Sequence, residues 1–324
     1  DLGEYARADT LARSAVSLRL GAEAGDLALA RARLGAVQLA LGQSAEAEAT
    51  LRQSLDVLAR ERRTEDADGV RLQLAKSLQE QDRWDEAEAL YRQSHAALQA
   101  RYGARHPETR VALAALAGLL RESGRFGEAE TLYRRALTTA RRLHGDDHPE
   151  TAEALRRLGA LYTDTGDLDR AARLLDHAIT ILRETYDRPN VRLADHLIAR
   201  AAADLHEQDY EGARSLLDEA LEIARADVGE RHPVALAALN DRAYVRSYTG
   251  DMEGAEADYR RVLAGERALW GPVHSEVATT MASLSTLLYS TGRPDEAIEL
   301  QREALGLRRQ LLPPDHPDLA NSLY

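Results

Sequence analysis

The sequence predicts an all-α chain, a solenoid of stacked antiparallel helix hairpins, and three observations predict it. The first is a period. Taking the alanine of "GRFGEAE" as an anchor gives Ala8, Ala47, Ala87, Ala129, Ala171, Ala213, Ala255 and Ala297, spaced by 39, 40 and then five times by 42 residues. A fixed period of this size marks a repeat architecture. The second is a set of small-residue columns in register with the anchor. Gly35, Ala75, Ala117, Gly159, Ala201, Ala243 and Ser285 stand twelve residues before successive anchors. A further column, Ala15, Ser54, Ser94, Ala136, Ala178, Ala220, Val262 and Ala304, stands seven after. Helices approach closely only where side chains are small, so these columns mark helix crossings. The third is vocabulary. Alanine, leucine, arginine and glutamate dominate, a helix-forming set. With 44% hydrophobic residues and only 9 prolines the chain can bury a core.

Each element follows from these columns in order. Ala8 and Ala15 belong to the second helix of a unit whose first helix is not in the sequence. Each later unit opens on a first helix around the small column, with leucines one and four residues before it, as in Leu113, Leu116 and Ala117. That spacing lays an apolar stripe on one face. A turn follows, most often with glycine five residues before the anchor: Gly42, Gly124, Gly166, Gly250 and Gly292, with Asp82 and Gln208 as exceptions. The second helix carries its own stripe, such as Ala129, Leu132, Tyr133, Ala136 and Leu137. Seven complete hairpins are expected, with half a hairpin at each end. A hairpin of this kind cannot bury its face alone and must stack on its neighbours.

Between hairpins stands a second punctuation. Gly103, Gly145, Gly229 and Gly271 each precede a histidine by three residues, and three of these histidines are followed by proline: His106-Pro107, His148-Pro149 and His232-Pro233. Glycine is favoured just past a helix end and proline at the first position of the next helix. "G-x-x-H-P" therefore reads as stop, short loop, start, with histidine at or beside the N-cap. The junction "YDRPNVRLADHL" is irregular, since Pro189 lies two residues before the proline column. A metal site needs ligands converging on one ion, whereas equivalent positions on stacked helices stand roughly 8–10 Å apart. The pair His144 and His148 straddles a helix break. No metal and no cofactor are expected.

Composition excludes several classes. A net charge of −12 disfavours nucleic acid and an anionic membrane surface. No apolar run approaches the ~18 residues of a spanning helix. Cysteine is absent, which removes disulfides and thiolate chemistry. No glycine-rich phosphate loop, paired metal-binding histidines or nucleophile elbow is present, so the chain is not expected to be an enzyme. No signal peptide is read in the sequence, and a cytoplasmic location is expected.

The small-to-alanine spacing of twelve, the alanine-to-small spacing of seven and the turn glycine between them resemble tetratricopeptide repeats. The 42-residue period, "Y-R-R-A-L" in a second helix and "G-x-x-H-P-E-T" before a first helix resemble the kinesin light chain subtype, which also occurs in bacterial proteins. The resemblance covers the whole chain. It implies a single right-handed superhelical α-solenoid over residues 1–324 whose first helices line a concave groove. It also implies a scaffolding role toward a partner protein or peptide.

In this family the groove is lined by first-helix positions −6, −3, +1, +4 and +5 from the small column. That rule selects Arg121, Arg156, His206, Asn240, Tyr244, Tyr248 and Tyr289 as candidate partner-binding residues. Position +1 is mostly alanine or glycine, with Lys76 alone basic, which argues against a clamp on a C-terminal carboxylate. Asn240, Tyr244 and Tyr248 share one helix face at i, i+4 and i+8, with Tyr289 on the next unit. Two readings stay open for the tyrosines: a ligand-contacting patch, or caps over partly buried surface between repeats. Arg121 and Arg156 could grip a carboxylate, although Glu122, Glu153 and Asp164 are near enough to pair first.

Two other roles remain. The apolar strip Leu29, Ala36, Leu39 and Ala40 suits a self-associating scaffold, a homo-oligomer. Both ends fall inside a hairpin, which suggests a fragment that regulates a catalytic domain outside this sequence.

Overall fold

The computed structural model describes residues 4–18, 23–312 and 319, and all regular structure among them is helical. Fifteen helices follow one another. α1 (Glu4–Leu18) stands alone at the start. It is followed by α2 (Ala24–Ala40) and α3 (Ser44–Arg60), α4 (Thr64–Gln79) and α5 (Trp84–Tyr102), and α6 (Pro107–Glu122) and α7 (Phe126–His144). Then come α8 (Pro149–Asp164) and α9 (Leu168–Thr185), α10 (Val191–His206) and α11 (Tyr210–Asp227), α12 (Pro233–Thr249) and α13 (Met252–Trp270), and α14 (Ser275–Ser290) and α15 (Pro294–Leu311). These are the seven hairpins and the leading half expected from the columns. The trailing first helix, with its His316-Pro317, lies outside the described residues.

Two compact units make up the chain: Asp1–Ser123 with Arg267–Thr279 and Gln301–Tyr324, and Gly124–Glu266 with Thr280–Leu300. In the second, Ala243, Ala255, Tyr259, Leu284, Leu287, Leu288 and Ala297 form one buried cluster, with Leu300 packed against it. Ala201, Ala213, Leu217 and Val245 form another. Both combine small-column and anchor residues with the side chains that pack over them, and all seven anchors from Ala47 onward are buried.

Where the small column is glycine, a leucine explains it. A Cβ on Gly35 would stand 2.7 Å from Leu51 Cγ, and one on Gly159 2.7 Å from Leu175 Cγ. Each leucine lies four residues after its own anchor, so the crossing there admits no side chain on the facing helix.

The turn column is set by backbone. Gly42, Gly124, Gly166, Gly250 and Gly292 all have positive φ, and the two exceptions adopt it too, Asp82 at 56° and Gln208 at 62°. The second glycine column differs from a left-handed cap. Gly103 (φ 80°, ψ 167°) and Gly145 (φ 94°, ψ 174°) occupy the extended positive-φ region that is essentially glycine's alone.

The histidines are N-caps. Nδ1 of His106, His148, His232 and His274 accepts from the backbone N–H two residues on, at 3.4, 3.1, 3.3 and 3.1 Å. Three of them also stack on the aromatic residue four before: His106 on Tyr102, His148 on His144 and His274 on Trp270, with ring centroids 4.4–4.6 Å apart. In the irregular junction Asn190 does the same work, its Oδ1 accepting from Arg192 and Leu193 N–H.

Candidate functional site

The first-helix face of α12 presents Asn240, Tyr244 and Tyr248 together. The ring centroids of Tyr244 and Tyr248 lie 4.6 Å apart, tilted by 40°, and Tyr248 stacks on Tyr210 at the start of α11, 5.7 Å away. Tyr244 remains 41% exposed and Tyr248 59%, so the rings pack on one another while keeping open faces. A hydrogen bond with Tyr248, then burial, pushes the Tyr244 hydroxyl up to about 12. Beneath them Tyr259 of α13 is buried. Burial first, then the charge of Asp241 and the hydroxyls of Tyr244 and Tyr248, push it up to about 12 as well.

Asp241 was not singled out by the sequence. Its Oδ1 accepts from the Asn240 amide at 3.3 Å, and burial pushes its carboxyl up to about 6. Three aspartates buried more deeply hold arginines. Asp68 pairs with Arg71 and with Arg101 at 2.7 Å, and Asp204 with Arg200. Asp258 takes Arg242 at 2.9 Å and Arg246 at 2.8 Å. No cation lies within ion-pair distance of Asp241 among the described residues.

The other candidates are placed apart. Tyr289, 70% exposed on α14, makes no ring contact with the other tyrosines among the described residues. His206 is exposed at the C-terminal end of α10, and Arg121 sits on α6 in the other unit. Arg156 is engaged. It grips Glu153 through two bonds of 2.9 Å and reaches Asp195 at 3.2 Å. Burial works to raise Glu153, but the hydrogen bonds and charges of Arg156 and Arg157 prevail and hold it at about 2.

Glu153, Asp195 and His196 bring ligand atoms within 4.8 Å of one another, a metal-like grouping that the histidine columns do not reveal. Arg156 already supplies the cation between the two carboxylates. His196 donates from Nδ1 to the Arg192 carbonyl at 2.8 Å, and burial, then Arg156, lower its pKa. The grouping is an ion-pair cluster with its cation covalently built in.

A hollow of about 350 Å³ lies among α7, α8 and α9, with Arg134, Arg141, Arg170 and Arg173 in its wall. Three of these reach carboxylates: Arg134 to Glu130, Arg141 to Asp146 and Arg170 to Asp167. In the first unit the apolar strip on α2 is partly covered, with Leu39 buried and the Ala40 carbonyl accepting from His274. No described helix is long and apolar enough to cross a membrane.

Comparison with known proteins agrees with this architecture. Family models described as tetratricopeptide repeat match residues 67–141, 111–184 and 192–268, with two others matching 277–318 and 28–53. No curated protein matches the chain. Among solved structures, BtubC (BKLC) from P. vanneervenii is 22% identical, with 73% of this chain and 93% of that one covered and a TM-score of 0.56. The apo form of the quorum sensor NprR from B. thuringiensis is 16% identical, covering 87% and 75%, with a TM-score of 0.61. A kinesin light chain with nearly identical TPR-like repeats from Podosopora anserina is 21% identical, covering 61% and 93%, with a TM-score of 0.46. The likeness to BtubC and to NprR, at these identities, shows the fold alone.

Proposed function

The chain belongs to the tetratricopeptide repeat family, and from that premise we propose that it is a non-catalytic scaffold that holds a partner protein or peptide against the first-helix face of α12. The observation that carries this reading is the exposure of Tyr244 and Tyr248. Both rings are spared from the core, packed against one another with centroids 4.6 Å apart, and exposed. Tyrosine is an effective interface anchor because a large apolar ring ends in a polar tip and loses little conformational entropy on binding. Asn240 on the same face adds an amide that can fix a peptide backbone. Arg156 contributes less, since its guanidinium is already committed to Glu153 and Asp195.

The test is capture of partners by the immobilised chain, with the Tyr244→Ala/Tyr248→Ala double variant alongside and mass spectrometry of what is retained. The reading predicts a partner that the double variant loses while its helical circular dichroism is unchanged. A partner kept equally by both forms would place binding elsewhere on the chain. A dimer mass with no foreign partner would favour self-association instead.

A further inference from the structure

Two successive second helices and the first helix between them enclose the hollow of about 350 Å³. α7 turns one face toward it, with Arg134, Thr138 and Arg141 at i, i+4 and i+7. α9 adds Arg170 and Arg173 one turn apart. Four cations line the hollow and no acid does, a local reversal of sign in a chain of net charge −12. We propose that this hollow binds a small organic phosphate, a phosphomonoester carried on an apolar body. The site is separate from the Tyr244 and Tyr248 face and does not depend on a partner bound there.

The charges are available to a ligand. Arg173 has no carboxylate partner among the described residues. Arg141 pairs with Asp146 at 2.9 Å and Arg170 with Asp167 at 3.2 Å, and all four of these side chains are exposed, so water screens both pairs. Arg134 is held in place from two sides, reaching Glu130 at 2.8 Å and donating to the Tyr162 hydroxyl at 2.9 Å. The Arg170 guanidinium lies over the same tyrosine, 5.6 Å from its ring centroid. Tyr162 thereby positions one arginine from α7 and one from α9. Guanidinium groups match phosphate oxygens two at a time, and several of them suit a dianion with three acceptor oxygens better than a single carboxylate.

The rest of the wall is apolar. Leu137, Leu158 and Leu174 line it, one from each helix, and the first two are buried. They give a ligand a place for carbon beside its charge. The volume lies at the lower end of pockets that hold small molecules. Nothing around it suits a protein. No large apolar side chain is exposed on α7, α8 or α9, whereas protein interfaces are anchored by such side chains. Affinity must therefore come from within the hollow.

The experiment is calorimetric titration of the full chain with phenyl phosphate at low salt, with inorganic phosphate and benzoate as companion probes. Arg173→Gln removes a cation that holds no carboxylate, and Thr138→Trp fills the hollow without changing charge. Arg142→Gln removes an exposed cation of α7 outside the hollow. Circular dichroism melts check that each variant folds. The inference predicts saturable one-to-one binding of phenyl phosphate, weakened about tenfold by Arg173→Gln, lost in Thr138→Trp and unchanged in Arg142→Gln. Inorganic phosphate and benzoate each bind more weakly than phenyl phosphate. No saturable binding, or equal weakening by Arg142→Gln and Arg173→Gln, overturns the site. Benzoate binding as tightly as phenyl phosphate overturns the phosphate, and inorganic phosphate doing so overturns the apolar body. A phosphotyrosine dodecapeptide that binds tenfold more tightly than phenyl phosphate overturns the free small molecule in favour of a modified protein.

Discussion

Gly159 and Leu175 meet so closely that a Cβ on the glycine would stand 2.7 Å from the leucine's Cγ, so the crossing of α8 and α9 is built for hydrogen at that position. Gly69, also within a helix, has nothing within 4 Å of the same imagined atom. The two glycines therefore respond oppositely to one substitution. Gly69→Ala should stabilise by about 0.5–1 kcal/mol through helix propensity and lost unfolded-state freedom. Gly159→Ala should destabilise by about 1–3 kcal/mol through overpacking. Chemical denaturation of both variants measures the contrast, and equal effects would remove steric meaning from the small column.

A second prediction concerns backbone alone. Gly145 at φ 94° and ψ 174° has open space around it, so Gly145→Ala should cost about 1–3 kcal/mol with no side-chain clash to account for it. Gln208 holds a positive φ of 62° in the turn column where other units carry glycine. Gln208→Gly should stabilise by about 1 kcal/mol. Thermal unfolding of each variant reads the sign.

His148 caps α8 and stacks on His144. His148→Ala should cost about 0.5–2 kcal/mol, and His148→Asn should restore most of that because asparagine is a good N-cap. The residual difference between asparagine and histidine is the stacking contribution. If asparagine rescues nothing, the capping bond is not what the histidine supplies.

Acid should act through His274. Its Nδ1 accepts from Glu276 N–H, its other ring edge faces the Ala40 carbonyl, and burial pushes it down to about 4. A histidine whose folded pKa is depressed contributes stability that is whole above the unfolded value of about 6.5 and declines as pH falls toward 4. Within that window the unfolded chain takes up a proton that the folded chain refuses. His274→Asn keeps a capping side chain and removes the proton, so the difference in stability between parent and variant should change with pH by up to about 1.4 kcal/mol per unit between 6.5 and 4, and be flat above 7. A constant difference across the range would contradict the assignment.

The hairpins were legible because their determinants are local and periodic. Ala129, Gly159 and His148 each declare a crossing or a cap by position in the repeat. The site was legible only in part. Tyr244 and Tyr248 stood out as large side chains on one helix face, and the structure brings them together with Tyr210. Tyr289 and His206 matched the same positional rule, yet neither joins that cluster, because position along a repeat does not fix the direction of a long side chain. Asp241 was hidden for a related reason. It is one of 54 acidic residues, and that the neighbouring Arg242 and Arg246 turn to Asp258 instead is not legible from their spacing. The aromatic partners of the capping histidines, Tyr102, His144 and Trp270, did carry a signal, an aromatic residue four before the histidine.

The central claim is that the α12 face carrying Tyr244 and Tyr248 is where a partner binds, and photo-crosslinking tests it most directly. A benzophenone side chain is placed at position 244, at 248, or at the exposed Thr138 of the arginine-lined hollow, and each form is irradiated with cell extract. The account predicts a discrete adduct of the same partner from 244 and 248 and none from 138. An adduct formed only from 138, or the same adduct from all three positions, would contradict it.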